Sequence, residues 1–115
     1  MRTIKIVEIL GNPVLLAPDK GERIRKEIEE ATTPVAVDFD GYKFISSTFL
    51  NHAFGQLCIN MQWSGKVFFE KVIITNLQED DYDELLLAID NAEARLEMMR
   101  KGINPKDFFA THLPA

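Results

Sequence analysis

Cysteine is nearly missing from this chain, since Cys58 is the single cysteine among 115 residues. One cysteine excludes an intramolecular disulfide and any metal site built from several thiolates. Cysteine and histidine residues also do not stand at the spacing of a zinc site. Cys58 falls within an apolar helical pattern, which predicts a buried and chemically inert thiol.

Basic side chains are too few for contact with nucleic acid. The chain has 13 lysine and arginine residues against 18 aspartate and glutamate residues, a formal net charge of −5. Binding to a phosphate backbone needs clustered positive charge, and so does attachment to an anionic bilayer surface. Aromatic residues are not interleaved with a basic patch, as they are in proteins that bind single strands. We therefore expect neither a nucleic-acid partner nor a membrane partner.

Long hydrophobic runs are missing as well. Charged residues break the apolar stretches within about ten residues, whereas a membrane-spanning helix needs roughly 20. Lys5 and Glu8 interrupt the apolar segment at the N-terminus, which is atypical of the hydrophobic region of a signal peptide. These features predict a cytoplasmic protein.

Recognisable catalytic and cofactor motifs are missing too. Ser47, His52 and Asp38 would be the members of a catalytic triad, but the chain has no Gly-x-Ser-x-Gly turn and no evident set of oxyanion donors. The glycine-rich loops that bind nucleotide phosphates are also lacking. We expect a protein that is not an enzyme and has no cofactor and no metal ion, with His52 at the surface.

The residues that are present fit one globular domain spanning residues 1–115. Hydrophobic residues make up 46% of the chain and charged residues 27%, and eight phenylalanines and one tryptophan supply material for a core. The longest predicted helix, residues 80–101, has acidic residues at its start and basic residues at its end. This polarity complements the helix dipole, so the acidic cluster is not interpreted as a metal site.

The periodicity of the apolar residues predicts alternating strands and helices. Helices that alternate with short buried strands indicate an α/β layer with parallel pairs joined by right-handed crossovers. We expect an α/β domain with a mixed sheet of four or five strands, backed by three or four helices. The predicted strands are residues 3–10, 14–16, 35–39 and 72–75, with extended segments at 42–45 and 67–69; the predicted helices are residues 19–32, 47–61 and 80–101, with a short turn or helix from residue 104.

The segment from residue 35 to residue 61 holds the one place where the sequence offers chemistry. A predicted strand and an Asp-Gly turn lead into the apolar pair Phe44-Ile45, and the hydroxyl triplet Ser46-Ser47-Thr48 follows where a helix should begin. Serine and threonine are favoured N-cap residues, and capping accounts for one hydroxyl. Three hydroxyls are more than a cap requires, so the triplet is also a candidate site.

Residues 35–50 resemble the STAS domain of bacterial anti-sigma factor antagonists, and they resemble the compact STAS-like family of uncharacterised bacterial proteins more closely. The order of elements over residues 3–100 agrees with that fold. In the antagonists, an apolar pair precedes Asp-Ser-Ser/Thr-Gly-Leu at the start of a helix, and the first hydroxyl after the aspartate is phosphorylated. On that motif, Ser46 takes the position of Asp, Ser47 that of the phosphorylated residue, Thr48 that of the next hydroxyl, Phe49 that of Gly and Leu50 that of Leu.

The resemblance implies a non-catalytic regulatory module that binds a protein partner and is switched by phosphorylation. The implied partner is a histidine-kinase-like ATPase that acts as an anti-sigma factor or serine kinase. Ser47 is the first phosphorylation candidate, followed by Ser46 and Thr48, although Ser46 and Phe49 depart from the antagonist motif. The implied docking surface consists of Ser46, Ser47, Thr48, Asn51, His52 and Gln56.

Two alternatives stay open. The N-terminus of the same helix could bind a small anion or a nucleotide, which would make the domain a ligand sensor. A structural subunit, or an enzyme without a recognisable motif, is the other alternative. No oligomeric state is predicted.

Overall fold

Three short parallel strands form the centre of the fold in the computed structural model, which describes residues 1–11, 18–42 and 45–102. They are β1 (Arg2–Lys5), β2 (Val35–Asp38) and β3 (Val72–Thr75). The strands lie in the order β1-β2-β3, and Ile4, Val37 and Ile74 are aligned across them. Parallel neighbours need crossover connections, and helices provide both of them here.

The predicted α/β fold is confirmed, but the predicted sheet is too large. Within the described ranges the sheet has three strands rather than four or five, and it is parallel rather than mixed. The predicted strand at residues 14–16, which would have formed an antiparallel hairpin with the first strand, lies outside the described residues. Lys43, Phe44 and the predicted C-terminal turn from residue 104 also lie outside them.

Six α-helices and one π-helical turn surround the described sheet. The helices predicted at residues 19–32, 47–61 and 80–101 are confirmed with shifts of up to two residues at their ends. The elements are α1 (Ile6–Leu10), α2 (Pro18–Glu30), α3 (Ser47–Leu50), the π turn (Asn51–Gly55), α4 (Gln56–Met61), α5 (Gly65–Lys71) and α6 (Glu79–Arg100). Residues 47–61, which run through α3, the π turn and α4, are called the site helix below.

The strand predicted at residues 3–10 is wrong in its second half, because β1 ends at Lys5 and α1 follows directly. Ile6 is fully buried and Ile9 and Leu10 pack against the core, whereas Val7 is exposed. Burial at i, i+3 and i+4 is the pattern of a helix. β-Branched residues indicate a strand only weakly, because their preference depends on what they pack against.

The prediction of an extended segment at residues 67–69 is also wrong, because these residues lie within α5. The Ser64 hydroxyl caps this helix and accepts a hydrogen bond from the Val67 N–H at 3.2 Å. The Glu93 carboxylate on α6 accepts a second bond from the Gly65 N–H. A helix start that is stabilised from a distant element leaves only a weak signal in the local sequence.

The core lies between the sheet and the site helix. Phe39, Phe54 and Phe68 are fully buried and form a chain, with ring centroids 5.9 Å and 5.7 Å apart. These tilted and edge-on contacts are the favourable ones for aromatic rings. Because Phe54 belongs to the π turn, the middle of the site helix is held against the end of β2.

The outer helices bury one face each. Leu85, Ile89, Ala92 and Leu96 of α6 are buried as predicted, but Met99 at the end of that stripe is 53% exposed. The last turn of α6 therefore extends past the core that covers the earlier turns. Within the described ranges, no helix combines the length and apolar composition that crossing a bilayer requires.

Candidate functional site

The site helix begins at Ser47 and is capped by Ser46. The Ser46 hydroxyl accepts a hydrogen bond from the Phe49 N–H at 3.1 Å, and the Ser46 carbonyl oxygen accepts one from the Leu50 N–H at 3.2 Å. One hydroxyl of the triplet is therefore a helix cap, as expected. Ser47 and Thr48 occupy the first turn and are exposed.

A buried carboxylate fixes the backbone just before this cap. The Ile45 N–H donates to Asp81 Oδ1 at 3.1 Å, and Asp81 is only 5% exposed. Because Asp81 lies in the first turn of α6, this contact ties the start of the site helix to α6. In the sequence, Asp81 counts only as one of several acidic residues that complement the dipole of α6. Its contact spans 36 positions and has no local signal.

The middle of the site helix is the π turn. The buried apolar side chains of the helix form adjacent pairs at 49–50, 53–54 and 57–58, each pair four residues after the last. An α-helix has 3.6 residues per turn, so a constant spacing of four would move these pairs around its axis. A π turn, with its i→i+5 hydrogen bonds, is wider and keeps all three pairs on the side of the core. This spacing is the one sequence signal for the π turn.

α2 packs closely against the π turn. Gly21 permits this approach, because a Cβ at that position would lie 2.7 Å from the Phe49 carbonyl oxygen. One turn later, Arg25 Nη1 donates to the His52 carbonyl oxygen at 2.8 Å. A main-chain oxygen of the π turn thus has a charged partner from a neighbouring helix, which is a strong type of hydrogen bond.

A groove of about 430 Å³ separates the site helix from α6. The residues from the site helix are spaced i, i+3, i+4 and i+8, and those from α6 are spaced i, i+3, i+4 and i+7. Each wall is therefore one face of one helix. The groove is lined by Thr48, Asn51, His52 and Gln56 from the site helix and by Asn91, Ala94, Arg95 and Met98 from α6.

The groove brings together only part of the predicted docking surface. The groove is lined by Thr48, Asn51, His52 and Gln56. Ser46 and Ser47 lie at the N-terminal end of the site helix and are not among the lining residues. His52 is exposed, as expected from the sequence. The role of these residues in binding a partner stays a prediction.

The α6 wall of the groove was not among the predicted site residues. Helical periodicity places Asn91, Ala94, Arg95 and Met98 on one face of α6, beside its buried stripe. The sequence does contain a signal for this wall: the four positions include no acidic residue, although the helix as a whole is acidic. The partner helix that forms the other wall is decided only by the tertiary packing.

The groove lining contains amides, a guanidinium and an imidazole, and no carboxylate. This composition contrasts with the net charge of −5 of the whole chain. Amide groups both donate and accept hydrogen bonds, and a guanidinium pairs with carboxylate or phosphate. What the arrangement offers is therefore a polar binding surface with a positive anchor.

The titratable residues singled out in the sequence are held in structural contacts. Cys58 is fully buried, and burial, with a smaller effect from the Glu93 carboxylate, raises the pKa of its thiol to about 12. Such a thiol is protonated near neutral pH, so the predicted inert thiol is confirmed. Asp38 accepts hydrogen bonds from Asn76 Nδ2 at 2.8 Å and from the Asp40 N–H at 2.9 Å.

These contacts give no support to catalysis by a triad. No described contact joins Asp38 to His52 or to Ser47. Within residues 1–11, 18–42 and 45–102, no three histidine, cysteine, aspartate or glutamate side chains are grouped closely enough to hold a metal ion.

A comparison with known families identifies a match over the middle of the chain. A family model described as "STAS-like domain of unknown function (DUF4325)" matches residues 20–82, more than half of the chain. The matched region runs from α2 to the first turn of α6 and includes the site helix and Asp81. It ends before the residues of α6 that line the groove. No curated protein and no solved structure matches the chain.

Proposed function

The chain belongs to the STAS-like DUF4325 family, and from this membership we propose that it is a non-catalytic regulatory module that acts by binding another protein. A STAS-like domain suggests a regulatory module that interacts with proteins. The observation that carries the proposal is the groove. Four residues of the implied docking surface share one helix face and meet a complementary face of α6 there.

The proposed docking surface is larger than the groove. A specific interface of standard size involves about 20–30 residues on each side. The groove has eight lining residues, so we extend the surface over the exposed start of the site helix, which consists of the cap residue Ser46 and the first helical residue Ser47. Because the chain resembles anti-sigma factor antagonists, we propose that its partner is a histidine-kinase-like ATPase or an anti-sigma factor. The cytoplasmic location stays a prediction.

Ser47 is our candidate for a phosphorylation switch at the edge of this surface. The Ser46 hydroxyl is engaged in the helix cap, whereas Ser47 is the exposed first residue of the site helix. A phosphate adds about −1.5 to −2 charge. The helix N-terminus tolerates negative charge within the domain, but the same charge would repel an acidic or apolar partner surface. Phosphorylation would therefore release the partner without unfolding the domain.

A sensor for a small ligand is the second candidate function. The groove volume of about 430 Å³ lies within the range of ligand sites, which is roughly 300–1,000 Å³. Such sites are mostly apolar and enclose most of their ligand. A groove between two polar helix faces fits a protein partner better, so we place the sensor second.

Site-specific photocrosslinking tests the binding function. The crosslinkable residue p-benzoylphenylalanine replaces Gln56 in the groove, and a matched variant carries it at Glu70, an exposed residue of α5 outside the groove. Both variants are expressed in the native host, irradiated and analysed by mass spectrometry. We expect a defined protein to be crosslinked at position 56 and not at position 70.

The switch is tested with the same crosslinked partner. Ser47→Asp should reduce its crosslinking roughly tenfold, which corresponds to about 1.4 kcal/mol of binding free energy, and Ser47→Ala should leave it near the wild-type level. Equal crosslinking at positions 56 and 70 would contradict the docking surface. Full binding by the Ser47→Asp variant would contradict the switch alone.

A further inference from the structure

We propose that the groove binds an acidic segment of the partner protein, with a partner carboxylate paired to Arg95. This inference rests on the proposed binding function and adds the chemistry of the partner. It is carried by the charge of the groove, by the surroundings of Arg95 and by the amide side chains of the lining.

Arg95 has no neutralising carboxylate partner within residues 1–11, 18–42 and 45–102. The residues three and four positions away on α6 are Asn91, Ala92, Met98 and Met99, so no carboxylate is within reach along the helix. No ion pair of Arg95 is found within the described residues.

Arg25 shows the contrasting case on α2. It stands between Glu22 and Glu29, and its guanidinium nitrogens lie 3.6 Å and 3.2 Å from their carboxylate oxygens. Arg25 is engaged in the structure of the domain, whereas Arg95 presents its charge to the groove. A guanidinium in such a position fits a carboxylate with two parallel hydrogen bonds.

The rest of the lining favours the same occupant. The acidic residues of α6 that neighbour the groove in sequence, Asp90, Glu93 and Glu97, are not among the lining residues. An acidic segment would therefore meet Arg95 without a like charge from the groove wall. A basic segment would lose its hydration there without gaining a carboxylate partner.

The amide side chains of the lining suit a polypeptide. Asn51, Gln56 and Asn91 each carry a donor and an acceptor, which matches the N–H and C=O groups of a peptide main chain. Gln56 Nε2 donates to Asn60 Oδ1 at 2.8 Å, and the side-chain oxygen of Gln56 has no hydrogen-bond partner among the described residues. Ala94 and Met98 add an apolar strip, and methionine adapts to varied side chains.

A nucleotide fits this lining less well. Nucleotide recognition uses an aromatic face for the base and a loop of main-chain N–H groups for the phosphates. The groove lining includes no aromatic residue apart from His52, and no glycine-rich loop borders it. We therefore infer an acidic peptide segment rather than a phosphate ligand.

The experiment selects peptides from a random 12-residue display library on three forms of the full chain. These are the wild type, Arg95→Glu in the groove, and Arg23→Glu, which makes the same charge change at an exposed residue of α2. We expect the wild type and Arg23→Glu to enrich peptides with aspartate or glutamate. Arg95→Glu should bind these peptides roughly tenfold more weakly by fluorescence polarisation and should select peptides with lysine or arginine instead. Circular dichroism checks that all three forms are folded.

Three outcomes would overturn the inference: no selected peptide, selected peptides without acidic enrichment, or acidic peptides that bind Arg95→Glu as tightly as the wild type. ATP or ADP that shifts the NMR signals of the groove residues while no peptide does so would favour the sensor. A partner crosslinked at position 56, together with peptides that have no charge preference, would remove this inference and leave the binding function. Equal crosslinking at both positions would remove the binding function itself.

Discussion

Asp81 is the residue that most directly connects the candidate site to the rest of the fold. One of its oxygens accepts the Ile45 N–H, and the other, Oδ2, is buried without a hydrogen-bond partner among the described residues. A buried oxygen of this kind has a desolvation cost. We infer that this carboxylate is tolerated because it satisfies the backbone immediately before the Ser46 cap.

Replacing Asp81 by alanine should destabilise the domain. Asp81→Ala leaves the buried Ile45 N–H without a partner, and we expect the free energy of unfolding to fall by about 1–3 kcal/mol. Asp81→Asn keeps an acceptor oxygen and should lose less. Urea denaturation measures all variants against Asp83→Ala, an exposed residue of the same helix that should change stability by less than about 0.5 kcal/mol. An equal stability of Asp81→Ala and Asp83→Ala would contradict this role.

The role of a single residue can be predicted from the sequence when its contacts are local, and it cannot when its contacts are with residues far away in the chain. A cap by one hydroxyl of the triplet, and Cys58 as a buried thiol, were predictable because capping and helical periodicity are local; the structure identifies the capping residue as Ser46. Asp81 and Arg95 were not predictable, since the first contacts a residue 36 positions away and the second faces another helix. A composition pattern identifies the face on which a residue lies but not what lies opposite.

The site helix shows how one element meets two neighbours. The π turn keeps the apolar pairs on the core side, and it places Thr48, His52 and Gln56 beside them, along the groove, at a constant spacing of four. α2 approaches the same turn closely at Gly21. The position of the groove wall therefore depends on how tightly α2 and the site helix pack.

Two glycine substitutions separate close packing from helix propensity. Gly21→Ala places a methyl group 2.7 Å from the Phe49 carbonyl oxygen, and the backbone must move. We expect a loss of about 1–3 kcal/mol in the free energy of unfolding, in spite of the better helix propensity of alanine. Gly55→Ala meets its nearest atoms at 3.4 Å, so it should be neutral or stabilising by up to about 1 kcal/mol.

Thermal and urea denaturation of both variants provide the measurement. If Gly21→Ala were as stable as Gly55→Ala, the close contact between α2 and the site helix would be wrong. Broadened or shifted NMR signals of the π turn in Gly21→Ala alone would locate the disturbance at this contact.

At the scale of the whole molecule, the parallel sheet gathers the ends of its strands at one edge. Asp38 follows the buried part of β2 and accepts hydrogen bonds from Asn76, just after β3, and from the Asp40 N–H. The Phe39 N–H donates to the Thr75 carbonyl oxygen at 3.0 Å beside them. The pKa of Asp38 is lowered below its ordinary value. The largest cause is the hydrogen bond from the Asn76 side chain, followed by the bond from the Asp40 N–H, and the charge of Lys5 adds to them.

The lowered pKa makes the stability of the fold sensitive to acid. A carboxyl group with a lower pKa in the folded state contributes its stabilisation in full above the pKa of the unfolded chain, and loses it as the pH falls through the folded-state pKa. In the wild type, the free energy of unfolding should therefore decrease as the pH falls below about 4. We expect this decrease to be smaller in Asp38→Asn, because the variant has no carboxyl group to protonate at this position. Urea denaturation between pH 7 and pH 3 measures it, with Asp40→Asn as the matched charge change. If the unfolding free energy of Asp38→Asn decreased with pH as steeply as that of the wild type, Asp38 would not contribute to the acid sensitivity.

The sequence by itself determined the α/β class, the three long helical segments, β2 and β3, a helix cap within the hydroxyl triplet and the inert Cys58. Each of these depends on local propensity or on the period of apolar residues. The sequence also indicated the STAS-like family. The tertiary structure alone decided that residues 6–10 and 67–69 are helical, that the described sheet has three parallel strands, and that the site helix faces α6 across a groove. These features depend on burial and on contacts between residues far apart in the chain, and a one-dimensional pattern does not specify which surfaces meet.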